Sequence, residues 1–312
     1  MCILKYTVGL PKNNPQFLDC IIENRDHIYE VYFSFGDFPS GRSSQTGGDS
    51  LSPFELMNIQ TSSLKALSEN GIKLNLLFNA NCYGKDSQSR AFFNKIGETV
   101  DYIKETFNLA SITTTSPLIA KFIKNNFEDL EVRASVNMEI GSIEGMEYLA
   151  EYFDSYYIKR ELNRDFSKII SLKEWCDKNN KNLFLLANSG CLNYCSAHNF
   201  HDNLVAHEDE ISKMDNAYNF GGICKEFLKN PNNYEKLYDR TNFIRPEDIN
   251  KYEGYFVAAK LATRVHRNPS IVLKSYINQK YSGDILRLLE PAHSIYPYVL
   301  ENGNPPSLKK LI

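Results

Sequence analysis

Residues 188–207, NSGCLNYCSAHNFHDNLVAH, concentrate side chains that bind metals or act as nucleophiles. The segment holds two of the seven cysteines and three of the six histidines: Cys191, Cys195, His198, His201 and His207. Thiolates and imidazoles bind zinc and iron, and a thiol beside an imidazole can attack an acyl carbon. The segment therefore predicts a metal centre or a nucleophile with its base. The alternative interpretation assigns no function to the segment: it is a buried loop in which the cysteines are small packing residues and the histidines are hydrogen-bonded.

An iron–sulfur cluster is the favoured metal centre. Cys224 follows in NFGGICKEF, and Cys82 in FNANCYG lies at the end of a predicted neighbouring strand. Three thiolates hold such a cluster when a fourth ligand comes from elsewhere in the chain. We therefore expect Cys191, Cys195, Cys224 and Cys82 to be ligands, most simply of a 4Fe-4S cluster.

Zinc is the alternative metal. Cys191, Cys195, His198 and His201 form a C-x3-C-x2-H-x2-H set that supplies two sulfur and two nitrogen ligands. If this stretch were helical, Cys191, Cys195 and His198 would share one face. The spacing between the Cys pair and the His pair is shorter than in zinc fingers. A dinucleotide-binding glycine turn, a P-loop and an HExxH helix are absent from the sequence.

Composition limits the compartment and the partners. The 312 residues carry a net charge of −3, with 42% hydrophobic and 23% charged residues. These values are ordinary for a globular protein, and they argue against a general surface for polyanions such as RNA. The start, MCILKYTVGLPKNNP, does not resemble a signal peptide, and no apolar run is long enough to span a membrane. A cytoplasmic location is expected, in which cysteines are thiols or metal ligands; Cys2, Cys20 and Cys176 are expected to be structural.

Eight short apolar runs alternate with amphipathic segments along the chain. The runs are residues 2–8, 29–35, 73–79, 110–116, 130–136, 155–160, 182–188 and 254–260. Strands separated by helical patterns predict βαβ units and a parallel sheet. Eight units predict a single (β/α)8 TIM-like barrel domain over residues 1–312, with a cysteine-bearing insertion at 189–243 after the seventh strand. A doubly wound open sheet is the alternative.

In a barrel, active sites lie at the carboxyl ends of the strands. Polar residues at predicted strand ends include Asn79, Asn137, Glu139, Lys159, Arg160 and Asn188, although such residues are also ordinary in loops. Lys260 and Arg264 close the eighth strand, and Arg245 precedes it; arginine can clamp a carboxylate or phosphate by two parallel bonds. The expected binding residues for an anionic substrate are Arg245, Lys260, Arg264, Asn188, His198 and His201. No catalytic residue is assigned.

Three segments, in order, resemble the U-thirty-two peptidase-like family. They are KRELNRDFSKIISLKEW (159–175), the stretch 188–207, and NFIRPEDINKYEGYFVAAKLATRV (242–265). The resemblance runs from about residue 72 to 290 and implies a TIM-like barrel. Better-understood branches are oxygen-independent hydroxylases of ubiquinone precursors and RNA bases. They hold a four-iron cluster on four cysteines, with prephenate as the implied oxygen donor. Other branches carry a collagenase-like peptidase label.

The resemblance implies that Cys191, Cys195 and Cys224 are cluster ligands. We expect an iron–sulfur redox enzyme that performs oxygen-independent hydroxylation or a related modification of a small or RNA-borne substrate. The alternatives are a metal-dependent peptidase and a non-catalytic, cluster-bearing partner subunit. The expected partners are an anionic small molecule and an electron donor or heteromeric partner, without a membrane.

Overall fold

A closed parallel barrel forms the centre of the protein. The computed structural model describes residues 4–41, 51–218, 220–293 and 297–310. In these ranges eight strands pair in chain order, and the last pairs with the first. They are β1 (Lys5–Gly9), β2 (Ile28–Phe33), β3 (Leu74–Phe78), β4 (Leu109–Thr114), β5 (Glu131–Ala134), β6 (Ser155–Tyr157), β7 (Asn182–Leu186) and β8 (Ala258–Leu261). Each strand overlaps its predicted apolar run, and the closed ring of pairings confirms the (β/α)8 barrel and excludes the doubly wound sheet.

Helices follow the strands on the outside of the barrel. The α-helices are α1 (Pro15–Glu23), α2 (Pro53–Glu69), α3 (Arg90–Thr106), α4 (Pro117–Asn126), α5 (Ile143–Glu147), α6 (Phe166–Lys178), α7 (His198–Ala206), α8 (Glu208–Ile211), α9 (Ile223–Phe227), α10 (Leu237–Arg240) and α11 (Pro269–Ile277). Short 3-10 helices span Arg25–His27, Val136–Met138, Arg160–Leu162, Pro231–Asn233, Pro246–Tyr252 and Ile285–Leu288. Four α-helices begin at a proline. Its fixed φ suits the first turn, and its lack of an N–H costs no helical hydrogen bond at that position. No helix in the described residues is long and apolar enough to cross a membrane.

Successive side chains of each strand point alternately into the barrel and toward the surrounding helices, and both regions are buried. On β3, Leu74, Leu76 and Phe78 belong to the main apolar core, which includes residues of the surrounding helices. Asn75, between them, points into the barrel and donates from Nδ2 to Ser111 Oγ at 2.6 Å. Because successive side chains of a strand face opposite sides, one strand contributes to both regions.

The barrel interior contains a buried ionic network. Arg133 on β5 is fully buried and forms an ion pair with Glu30 on β2. Its Nη2 lies 3.0 Å from Glu131 Oε1, and its Nε donates to Ser155 Oγ at 3.1 Å. Burial lowers the pKa of Arg133, but the two carboxylates outweigh this effect and hold it well above its usual value. The guanidinium also lies 3.8 Å from the centroid of the Phe184 ring. The network thus joins four strands through one charge.

The segment after β7 is held by the C-terminal part of the chain. A second apolar cluster joins them, with Leu228, Leu237, Phe243, Ile285, Leu286, Leu289 and Leu300. The strands β9 (Tyr298–Glu301) and β10 (Ser307–Lys310), which sequence reasoning did not predict, form an antiparallel hairpin beside this cluster. Gly190 N donates to Glu290 O at 2.9 Å, and a Cβ at Gly190 would overlap the Pro291 carbonyl oxygen. The cysteine-bearing segment therefore begins at a position that only glycine fits.

Asn188 connects the ends of β7 and β8. Its Oδ1 accepts from Ala262 N at 2.6 Å, and its Nδ2 donates to Leu288 O at 2.9 Å. The residue is fully buried. Its amide, predicted to bind substrate, is thus engaged with backbone groups of the fold.

Removing the carboxylate partner of Arg133 tests the interior network. Glu30→Gln leaves a buried guanidinium with less compensating charge, so we expect a loss of about 3–5 kcal/mol in the free energy of unfolding. Urea denaturation followed by circular dichroism measures this loss. Asp129→Asn, at the exposed Lys104–Asp129 pair, is the matched control and should change the midpoint little. An unchanged midpoint for Glu30→Gln would contradict the account.

Asn188→Ala separates a structural role from substrate binding. The variant leaves the part-buried Ala262 N–H without its acceptor, so we expect a loss of about 1–3 kcal/mol in unfolding free energy. The control is Asn203→Ala, because Asn203 bonds to Asn199 O on an exposed face of α7. Normal stability combined with weakened anion binding would restore the substrate-binding interpretation.

Candidate functional site

A small cavity opens at the carboxyl ends of the barrel strands, and we call it the mouth cavity. It has a volume of about 60 Å³, roughly the share of two water molecules in liquid. Its polar lining residues are Asn79, Asn137, Arg160, Asp202, Lys260, Arg264 and Glu290. Three cations and two carboxylates thus line this cavity. A space of this size fits one anionic group of a ligand.

Lys260 supplies charge at the floor of the mouth cavity. Its Nζ lies 4.1 Å from the Tyr32 ring centroid and 5.1 Å from that of Tyr157. Ring faces stabilise the ammonium form. Tyr32 donates to Leu261 O at 2.9 Å, and burial raises its pKa to about 12, so the phenol stays neutral. A Cβ at Gly9 would lie 2.5 Å from this ring, so Gly9 leaves the space that Tyr32 occupies.

Arg160 and His198 form a charged network at the edge of the mouth cavity. Arg160 contacts the His198 ring and lies 3.8 Å from Glu139. His198 Nδ1 is 2.6 Å from Glu139 Oε1, and Nε2 is 3.4 Å from Asp202 Oδ2. Burial lowers the pKa of His198, but a hydrogen bond with the Cys191 thiol and the charge of Asp202 outweigh it and raise the pKa. Both ring nitrogens of His198 are therefore engaged.

Three thiols gather in the insertion. Burial raises the pKa of the Cys224 thiol, and the neighbouring Cys191 and Cys195 thiols raise it further. His201 is close to this group, because a Cβ built on Gly222 would lie 3.6 Å from Cys224 Sγ and 3.7 Å from His201 Cε1. The structure thus brings together the three cysteines that the sequence assigned to a metal centre.

In the described residues, the three thiols and the nearby histidines do not form a complete metal coordination shell. Among the residues that the structure describes, no three His, Cys, Asp or Glu side chains are placed to hold one metal ion. The helix α7 begins at His198, so Cys191 and Cys195 precede it and do not share a helical face with His198. The zinc set would also require His198 to leave Glu139 and Asp202.

Cys82 has other partners. It follows β3, and its thiol is hydrogen-bonded to the His207 ring, which lowers the pKa of the thiol. Gly84 N donates to Cys82 Sγ at 3.4 Å, and His207 Nδ1 lies 3.1 Å from Glu210 Oε2. The structure therefore pairs Cys82 with a histidine, whereas Cys191, Cys195 and Cys224 interact with one another.

The remaining cysteines and Arg245 lie away from the mouth cavity. Cys20 and Cys176 are buried, and burial raises the pKa of both thiols, as expected for structural residues. Cys2 lies outside the described residues. Arg245 donates from Nε to Asp248 Oδ2 at 2.6 Å and from Nη1 to Gly303 O, and it does not line the mouth cavity.

Sequence reasoning missed Asp202 and the partners of Cys82. A signal for Asp202 was present, because it follows His198 by four residues and such residues are neighbours on a helix. Glu210 follows His207 at a spacing of three. The contact of His207 with Cys82 left no such signal, because the two residues lie in distant parts of the sequence.

Known proteins resemble this chain in sequence and in fold. Over 282 residues it is 26% identical to an uncharacterized protease, MJ1657, of Methanocaldococcus jannaschii, which covers 88% of this chain and 79% of that protein. The solved structure of the U32 peptidase Mk0906 has a TM-score of 0.60 and 13% identity, and the match covers 84% of this chain and 93% of that one. No protein-family profile matches the chain. The likeness in sequence and the shared barrel confirm the resemblance to the U-thirty-two peptidase-like family that residues 159–175, 188–207 and 242–265 carry.

Proposed function

We propose that the protein is an iron–sulfur redox enzyme that modifies an anionic substrate at the mouth cavity. The observation that carries the proposal is the gathering of Cys191, Cys195 and Cys224 beside that cavity. Cys191 is hydrogen-bonded to His198, and His198 contacts Asp202, which lines the cavity. His198 would thus lie between a group held by the three thiols and a substrate bound in the mouth cavity.

The donor types fit an iron–sulfur cluster. Thiolates are its usual protein ligands, and a histidine replaces cysteine in some clusters. His201, close to Cys224, would supply a fourth ligand. The three thiols interact without forming a coordination shell in the described residues. The fit to a cluster therefore rests on the types of the donor atoms and on the proximity of the three thiols.

When bound, such a cluster supplies electron transfer or an open iron for a substrate oxygen. The chain's own residues bind and orient the substrate. Lys260 and Arg264 attract its negative group, while Asp202 and Glu290 limit how much negative charge the mouth cavity accepts. Arg160 holds Glu139 and His198 in place beside the thiols.

Oxygen-independent hydroxylation or a related modification is the reaction we propose, by extension from the redox branches that the family resemblance implies. The mouth cavity favours a small substrate over an RNA-borne one, because about 60 Å³ admits a carboxylate or phosphate group. The net charge of −3 agrees with this choice. A redox partner must then supply or accept the electrons.

Purification without oxygen tests the cluster. We expect brown protein that contains iron and acid-labile sulfide, and we expect Cys191→Ala, Cys195→Ala and Cys224→Ala to lose both, because each removes a ligand. Elemental analysis and the visible spectrum measure the loss. Cys20→Ala and Cys176→Ala are the control variants, since both thiols are buried away from the site.

Stoichiometric zinc without sulfide would contradict the cluster and favour the metal-dependent peptidase. Peptide hydrolysis by aerobically purified, cluster-free protein, lost in His198→Ala or His201→Ala, would do the same. The name of the Methanocaldococcus relative makes this the relevant competing activity.

Anion binding tests the mouth cavity. We expect Arg264→Ala to weaken the binding of prephenate, used as a probe dicarboxylate, by about 2–5 kcal/mol, because the substrate's charge loses a partly buried partner. Arg264→Lys should recover part of the loss, since an ammonium cannot form two parallel bonds. Calorimetric titration measures the affinity. Arg25→Ala, which removes the same charge ahead of β2, is the control; equal losses in both variants would show that only net charge matters.

A further inference from the structure

A second arrangement of reactive groups lies outside the thiol group of the insertion. It consists of Cys82, His207 and Glu210, which come from two separate segments of the chain. Cys82 follows β3, and His207 lies between α7 and α8. The thiol is hydrogen-bonded to the His207 ring, and Glu210 Oε2 lies 3.1 Å from His207 Nδ1. The three groups therefore follow one another as thiol, imidazole and carboxylate.

The order of the contacts assigns a role to each group. A carboxylate at Nδ1 orients the ring and leaves Nε2 for the thiol, which is the arrangement of a nucleophile, its base and an orienting group. Gly84 N also donates to Cys82 Sγ at 3.4 Å, a contact that stabilises a thiolate. Gly84 has a φ of +76°, a conformation that glycine adopts without strain.

The Cys82 thiol differs from the structural cysteines in its exposure to solvent. Cys82 is partly exposed, and the His207 side chain is 28% exposed, so a substrate can reach both from solvent. Cys20 and Cys176 are buried, and in the described part of the chain no histidine is among the groups that shift the pKa of either thiol. The group also stands at the carboxyl end of β3, on the face where barrel enzymes place their chemistry.

We propose that Cys82 is a nucleophile that accepts acyl groups from activated esters or thioesters, with His207 as its base and Glu210 as a positioning residue. Cys82 is then not a ligand of the metal centre. This activity is additional to the proposed redox function, and it uses none of Cys191, Cys195 and Cys224.

The reaction balances without a further reagent. The Cys82 sulfur forms a bond to the acyl carbon while its proton passes to His207 Nε2. The bond from that carbon to the leaving oxygen or sulfur breaks, and the leaving group takes the proton from His207. Water then attacks the thioester carbon and gives a proton to His207. The carbon–sulfur bond breaks, the acid departs, and Cys82 recovers the proton.

Acetylation by p-nitrophenyl acetate tests the proposal on anaerobically purified, full-length protein. We expect a burst of p-nitrophenolate and one acetyl group located on Cys82 by peptide mass spectrometry. Cys82→Ser should abolish the burst, and His207→Gln should slow it about a hundredfold or more, since a general base contributes at least that factor. His27→Gln is the matched control for the histidine.

Glu210 is tested by a conservative pair. Glu210→Gln should slow acetylation, and Glu210→Asp, which keeps a carboxylate, should retain more of the rate. Glu208→Gln, which changes a carboxylate two residues earlier, should leave the rate unchanged. Circular dichroism of every variant checks that the fold is intact.

Two results would overturn the proposal. One is acetylation spread over several cysteines at similar rates, with no effect of His207→Gln. The other is a loss of iron and sulfide in Cys82→Ser, which would make Cys82 a cluster ligand. Wild-type protein that lacks iron but is acetylated on Cys82 would contradict the redox function alone, so the two proposals fail separately.

Discussion

The fold depends on a charge buried inside the barrel. Arg133 cannot lose its proton, and an unpaired guanidinium in a dry interior costs several kcal/mol. Its partners Glu30 and Ser155 come from β2 and β6, so those strands must be in register with β5 for the charge to be compensated. Ser111 on β4 donates to Glu30 Oε2 at 2.9 Å and extends the same constraint to a further strand. The positions of the strand ends, and therefore of the loops that follow them, depend on this register.

The buried charges continue toward the mouth cavity. Tyr157 lies 5.8 Å from the Arg133 guanidinium on one side and 5.1 Å from Lys260 Nζ on the other. One aromatic ring thus separates the structural cation from the cation we assign to substrate binding. Above them, Glu139 and Asp202 compensate Arg160 and His198. The site is consequently an extension of the ionic interior, and the insertion that carries the thiols packs on the C-terminal part of the chain through a separate apolar cluster.

The sequence predicted the barrel well, because its strands are short apolar runs and its helices begin at prolines or polar caps. All of these signals are local. The predicted thiols Cys191, Cys195 and Cys224 also gather, since the first two are four residues apart and the third lies in the same insertion. The engagement of Asn188 and the pairing of Cys82 with His207 were not predictable in this way. Both depend on which loops meet above the barrel, and that is decided by packing between distant segments.

X-ray absorption spectroscopy of the anaerobically purified protein tests the central claim most directly. It reports the metal, the elements bound to it and any second metal nearby, whether or not the substrate is known. The account predicts an iron edge with sulfur in the first coordination sphere and iron–iron scattering beyond it. A zinc edge with mixed sulfur and nitrogen ligands, or protein free of any metal, would contradict it.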